Sequence, residues 1–169
     1  MILGYGVNMN ELELNKLTSG IIGIAIDVHR ELGPGLLESV YQRCMEVALK
    51  DAGYSVQSEV TLPVIFRGNI IEEDGYRIDL LVNNTVVVEL KSVLEMNPVY
   101  EKQLGTYLKL ANKPCGLLIN FNVTQLKYGI KRVLNGFLPS VPSVPSVISV
   151  RDKNPKSSVP SFSLCETVP

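Results

Sequence analysis

Two apolar runs, Leu80-Leu81-Val82 and Val86-Val87-Val88, flank Asn83-Asn84-Thr85. They predict strands over 76–82 and 86–92 joined as a β-hairpin. Side chains on a strand alternate between faces, so Glu89 and Lys91 share one face and Leu90 points the other way. The position of Asp79 depends on the loop. A three-residue loop over 83–85 sets Val82 against Val86 and Asp79 against Glu89, on the same face. A loop of Asn83 and Asn84 alone would shift every partner by one and turn Asp79 away. Asn84 tolerates the left-handed conformation that three-residue loops use, so the longer loop is expected.

Two carboxylates on one sheet face, set among apolar neighbours, repel each other unless a cation neutralises them. Mg²⁺ takes one or two carboxylates together with water and phosphate oxygens. Lys91, one strand step past Glu89, is placed to hold or help deprotonate a water. An ion, a water and a lysine are the parts that phosphodiester hydrolysis needs. The same residues also fit a plainer arrangement, with Glu89 and Lys91 as a surface ion pair and Asp79 solvated.

Around this hairpin the pattern is mixed α/β. Leu14, Leu17, Ile21, Ile24 and Val28 recur at helical spacing over 12–32, and Leu32-Gly33-Pro34-Gly35 ends that helix. A second helix is expected over 36–52, with Leu37, Tyr41, Cys44, Ala48 and Leu49 inward. Residues 59–66 predict a strand in which Pro63 demands an edge or a bulge. A turn at 67–69 and a solvated loop at 72–75 follow. Asn97 and Pro98 cap and open a third helix running to about 111, and 116–121 is an apolar strand. Within 125–134 Gly129 disfavours helix, and a short strand is expected. A hairpin, then a helix, then a buried strand requires a crossover within a mixed sheet.

The 169 residues suffice for one domain with a real core. No apolar run approaches the roughly 18 residues of a membrane span, and no secretory signal is evident. Cys44, Cys115 and Cys165 form no CxxC pair, which argues against a disulfide framework or a cysteine zinc site and suits a reducing, cytoplasmic setting. From Pro139 onward lie six of the ten prolines. A folded unit over 10–138 and a flexible Ser/Val/Pro-rich tail over 139–169 are therefore expected.

A wider set of motifs carries a family resemblance. Gly35-Leu36-Leu37-Glu38-Ser39-Val40-Tyr41 matches the motif that names the GxxExxY proteins. The runs IIGIAIDVHRELGPGLLESVY, GYRIDLLVNNTVVVELK, QLGTY and GLLINFN resemble that family's blocks in the same order, across about residues 12–134. The family is grouped with the PD-(D/E)xK nuclease superfamily. The resemblance implies a restriction-endonuclease-like α/β fold, a mixed sheet flanked by helices. It implies Asp79, Glu89, the Leu90 carbonyl and Glu38 as ligands of Mg²⁺ or Mn²⁺, Lys91 as the catalytic lysine, and Gln103 with Tyr107 as the QxxxY element. Arg77 and Ile78 stand where the superfamily's naming proline would lie.

Two functions follow as expectations. The first is a metal-dependent nuclease acting on nucleic acid, DNA foremost, with low sequence specificity. The second is a catalytically silent nuclease-like module that binds nucleic acid or a protein partner. The formal net charge of −1 does not advertise nucleic-acid binding. Lys102, Lys109, Lys113, Lys127, Lys131 and Arg132 against Glu101 make a local exception, equally consistent with phosphate contacts or with solvated helix faces. The single histidine, His29, is expected to hydrogen-bond the Gly-Pro-Gly loop rather than to meet phosphate, and Tyr41 to lie in or near the core.

Overall fold

A computed structural model of the chain describes residues 10–136. The element order is α1 (Glu11–Leu32), α2 (Glu38–Asp51), β1 (Val56–Phe66), β2 (Asn69–Val82), β3 (Val86–Lys91), α3 (Pro98–Leu110), β4 (Cys115–Asn120), a single 3-10 turn (Leu126–Tyr128) and β5 (Ile130–Leu134). The expected tail over 139–169 lies outside the described residues. Among the described residues no helix is long and apolar enough to cross a membrane.

The five strands form one sheet in the order β1-β2-β3-β4-β5. β3 and β4 run parallel and every other pair is antiparallel, so α3 is the crossover that parallel pairing demands. This is a mixed sheet flanked by helices, the restriction-endonuclease-like α/β arrangement. One face packs on α1 and α2 through Leu80, Val82, Val86, Val88, Leu90, Leu117 and Ile119. The other packs on α3 through Leu81, Val87 and Leu118.

Local chemistry explains most boundaries. Asn10 and Glu13 form a capping box at the start of α1. Asn97 accepts from Val99 N at 2.9 Å, and Pro98 needs no donor in the first turn of α3. Asn83 and Asn84 both have left-handed φ, 48° and 51°, and Val82 pairs with Val86, as the three-residue loop requires.

Several expectations need correction. Residues 72–75 are not a loop but part of β2. The acidic side chains stay in solvent, Glu72 pairs with Val64 of β1, and a register shift beside Pro63 on the edge strand absorbs residues 73–75 as a bulge. Gly75 is required there, since a Cβ would stand 2.6 Å from Val64 Cγ2. Ala25, not Ile24, takes the innermost place on α1. Leu37 caps α2 from outside and is exposed, so its helix starts at Glu38. Residues 125–134 divide into the 3-10 turn and β5 on either side of Gly129, whose Cβ would meet the Asn120 carbonyl at 2.3 Å.

Candidate active site

The parallel strands β3 and β4 end side by side at Lys91 and Asn120, and the candidate site lies at this end of the sheet. Glu89 is only 4% exposed. Its Oε1 accepts from Lys91 Nζ at 2.9 Å, while its Oε2 is buried and has no partner. Burial pushes the Glu89 carboxyl up to about 7, with the Asp79 charge adding to it and Lys91 only partly offsetting it.

Asp79 enters from β2. The β2–β3 ladder proceeds from Val82 opposite Val86 to Leu80 opposite Val88 and stops there. One step on, Asp79 Oδ2 accepts the Leu90 N–H at 2.7 Å, so a carboxylate replaces a strand partner. Burial raises the Asp79 carboxyl above the usual range, against the Leu90 N–H and the Lys91 charge. The Asp79 charge in turn raises the Glu89 carboxyl. The aspartate is thus not turned to the reverse side.

Lys91 Nζ donates to Leu90 O at 2.7 Å and to Glu89, and reaches Glu38 Oε1 at 3.4 Å. Burial alone would lower its pKa, but the field of Glu89, joined by Glu38 and Asp79, raises it instead. Glu38 reaches the site because its helix is tied down at its start. Tyr41, fully buried, donates to Gly33 O at 2.6 Å and accepts from Leu36 N at 3.2 Å, and its ring stacks on Phe121 at 4.4 Å. Ser92 Oγ donates to Leu36 O at 2.6 Å. The Gly-x-x-Glu-x-x-Tyr spacing therefore has a physical reading. Gly35 (φ 102°) makes the turn, Tyr41 clamps it, and Glu38 projects from the first turn of α2.

α3 supplies the remaining wall. Gln103 Nε2 donates to Tyr107 OH, and Tyr107 is buried against Tyr76 with ring centroids 5.4 Å apart. Burial and the Glu89 charge both raise the Tyr107 pKa, which puts the phenol within the field of the acids. Asp79, Glu89, Lys91, Glu38, Gln103 and Tyr107 therefore meet in one region.

His29 is the exception to its expectation. Its Nε2 pairs with Val123 O at 2.8 Å, in the segment after β4, and not with the Gly-Pro-Gly loop. The basic residues do not gather either. Lys113 bonds Asn84 at the hairpin loop, the far end of β3, Lys131 pairs with Glu101, and Arg132 bonds Asn15.

Three contributors escaped the sequence reading. Asn120, 1% exposed, donates to Val93 O (2.8 Å) and accepts from Val93 N and Asn122 N (both 3.1 Å). It holds the chain just past Lys91, whose own carbonyl accepts from Phe121 N at 2.8 Å. A lone amide closing the apolar run 116–121 was a usable signal, because a buried polar group requires partners. Glu59 adopts φ 55° opposite Asp79, bonds Gln42 and Arg77, and its charge acts on Asp79. Tyr100 places its ring 5.6 Å from Lys91 Nζ.

Among the described residues no three acidic, histidine or cysteine side chains converge as a ready-made metal cage. A hard divalent ion needs less. Two carboxylates and a backbone carbonyl suffice when water and phosphate complete the shell. The orphaned Glu89 Oε2 beside Asp79 is the donor such an ion would satisfy, so the residues present fit it.

A family model described as PD-(D/E)XK nuclease superfamily matches residues 15–133, from α1 into β5. No curated protein and no solved structure matches the chain significantly.

Proposed function

The chain belongs to the PD-(D/E)XK nuclease superfamily, and from that premise we propose that it is a metal-dependent nuclease of the GxxExxY type that hydrolyses phosphodiester bonds, with DNA as its expected substrate. The observation that carries this reading is the nearly fully buried Glu89, with one oxygen unpartnered, next to the half-buried carboxylate of Asp79. An isolated fold has no use for such a pair, because uncompensated buried charge opposes folding.

Asp79, Glu89 and the Leu90 carbonyl would hold Mg²⁺ or Mn²⁺, with Glu38 completing the site. When bound, the ion supplies Lewis acidity and an activated water. The chain's own residues do the rest. A shared ion is supported by the nearness of Asp79 and Glu89 where the β2–β3 ladder ends and Asp79 accepts the Leu90 N–H. Lys91 is placed to orient a water and to offset phosphate charge. Gln103 and Tyr107 line the α3 side, where an amide and a phenol offer hydrogen bonds to a backbone phosphate.

The test is incubation of the purified chain with single-stranded DNA, double-stranded DNA and RNA, with and without Mg²⁺ or Mn²⁺. Cleavage should require the metal and fall at least about a hundredfold in Asp79→Ala, as expected when a group stabilising the transition state is lost. Metal-dependent cleavage that survives both Asp79→Ala and Lys91→Ala would rule the mechanism out. Binding without any cleavage is the outcome for the silent module.

A further inference from the structure

An ammonium has three N–H donors and no acceptor. All three donors of Lys91 are accounted for, by Leu90 O at 2.7 Å, Glu89 Oε1 at 2.9 Å and Glu38 Oε1 at 3.4 Å. Leu90 O and the carboxylates of Glu89 and Glu38 are the groups that, with Asp79, would surround a divalent ion, which would also take the unpartnered Glu89 Oε2. In this conformation Lys91 has no hydrogen left for a water or a phosphate. Its amine sits among three of the oxygens of this cluster, while the Asp79 carboxylate accepts the Leu90 N–H.

The charge pattern points the same way. Among the described residues Lys91 is the sole basic group bonded to Glu89, and its side chain is 11% exposed. Even so, Glu89 Oε2 is left without a partner, so one ammonium only partly satisfies the cluster. An ammonium and a divalent ion cannot occupy the same position among these oxygens, and at contact distance their repulsion is strong in a site shielded from water.

We propose that Lys91 is the built-in counter-cation of the metal-free site, occupying the ion's seat and setting metal affinity by having to leave it. The inference rests on the nuclease reading for the identity of the competing ion. It gives Lys91 two positions, a neutralising one among Glu38, Glu89 and Leu90 and a displaced one in which its hydrogens become free. The apparent affinity for the ion is then reduced by the fraction of time the seat is open. A seat open about a tenth of the time weakens binding roughly tenfold.

The test measures Mn²⁺ binding to the full chain by calorimetry or by the resonance of free Mn²⁺, without nucleic acid. Wild type is compared with Lys91→Met, Lys91→Gln and Glu89→Gln, each checked by circular dichroism for the native fold. Lys91→Gln keeps a hydrogen-bonding head without charge and serves if Lys91→Met does not fold. The expected result is Mn²⁺ binding about tenfold tighter in the Lys91 variants, and strongly weakened in Glu89→Gln. If wild type binds Mn²⁺ through Glu89 but the Lys91 variants bind equally or more weakly, the counter-cation role is overturned while the nuclease reading stands. If no folded form binds Mn²⁺, both fall.

Discussion

The two faces of the sheet are built from alternate residues of the same strands, yet they obey different rules. The face under α1 and α2 is apolar on the three central strands, and Leu80, Val88, Leu90, Leu117 and Ile119 are each 0% exposed. The face under α3 begins the same way with Leu81, Val87 and Leu118, and then gives way to Glu89 and Lys91. Leu90 sits between those two charges and points into the first cluster. The apolar face therefore anchors the strand, and that anchoring lets the other face keep buried charge in fixed positions. A strand held only from the charged side would move to hydrate Glu89.

The sharpest way to break this contrast is to put a charge on the wrong face. Val88→Asp places a carboxylate in the α1/α2 cluster, where its cross-strand partners are Leu80 and Leu117. The loss should exceed about 4 kcal/mol and leave the chain unfolded or nearly so. Urea unfolding followed by circular dichroism checks this. A loss under about 1 kcal/mol would show that the apolar face is not the anchor.

The next effect belongs to the charged face. Removing Lys91 with Lys91→Ala leaves Glu89 buried without its cation, which costs about 3–5 kcal/mol at pH 8. The dependence on pH has a definite sign. The folded pKa of Glu89, about 7, lies above its ordinary 4.5. Between these values the folded chain binds more protons than the unfolded one, so the stability Glu89 contributes in its neutral form is lost as pH rises through that window. The cost of Lys91→Ala should therefore shrink as pH falls from 8 towards 4.5, where Glu89 is neutral in the folded state and half ionised in the unfolded one. Metal-free protein in chelator, unfolded at several pH values, gives the curve. A flat difference across the window would mean that Glu89 carries no buried charge.

The two faces also differed in how readily they could be read from the residues. The apolar face obeys period, and β-branched runs around an asparagine turn were enough to place Asp79, Glu89 and Lys91 together. Parity did that work, because a one-residue change in loop length would have reversed it. Where backbone pairing outweighs side-chain polarity, the reading failed. Glu72, Glu73 and Asp74 look like a loop, yet they belong to β2, with Glu72 paired to the edge strand and the next two residues in a bulge. Long-range hydrogen bonds were also hidden. Nothing local to His29 indicates Val123, and nothing local to Glu59 announces a left-handed backbone opposite Asp79. Asn120 lies between these cases. Its burial was inferable from the run it closes, but not its hold on Val93.

A second lysine–glutamate pair gives the mildest test of what burial contributes. Lys131 and Glu101 stand 2.8 Å apart, almost the same as the 2.9 Å of Lys91 and Glu89. Their side chains, however, are 55% and 48% exposed, against 11% and 6%. Water already screens the exposed pair, so Lys131→Ala should change stability by no more than about 1 kcal/mol, and high salt should erase the effect. A double-mutant cycle over Lys131 and Glu101, by urea unfolding at low and high ionic strength, isolates the coupling. Were that coupling as large as the loss on removing Lys91, distance rather than desolvation would govern both pairs, and burial of Glu89 would lose its standing as the source of the site's strain.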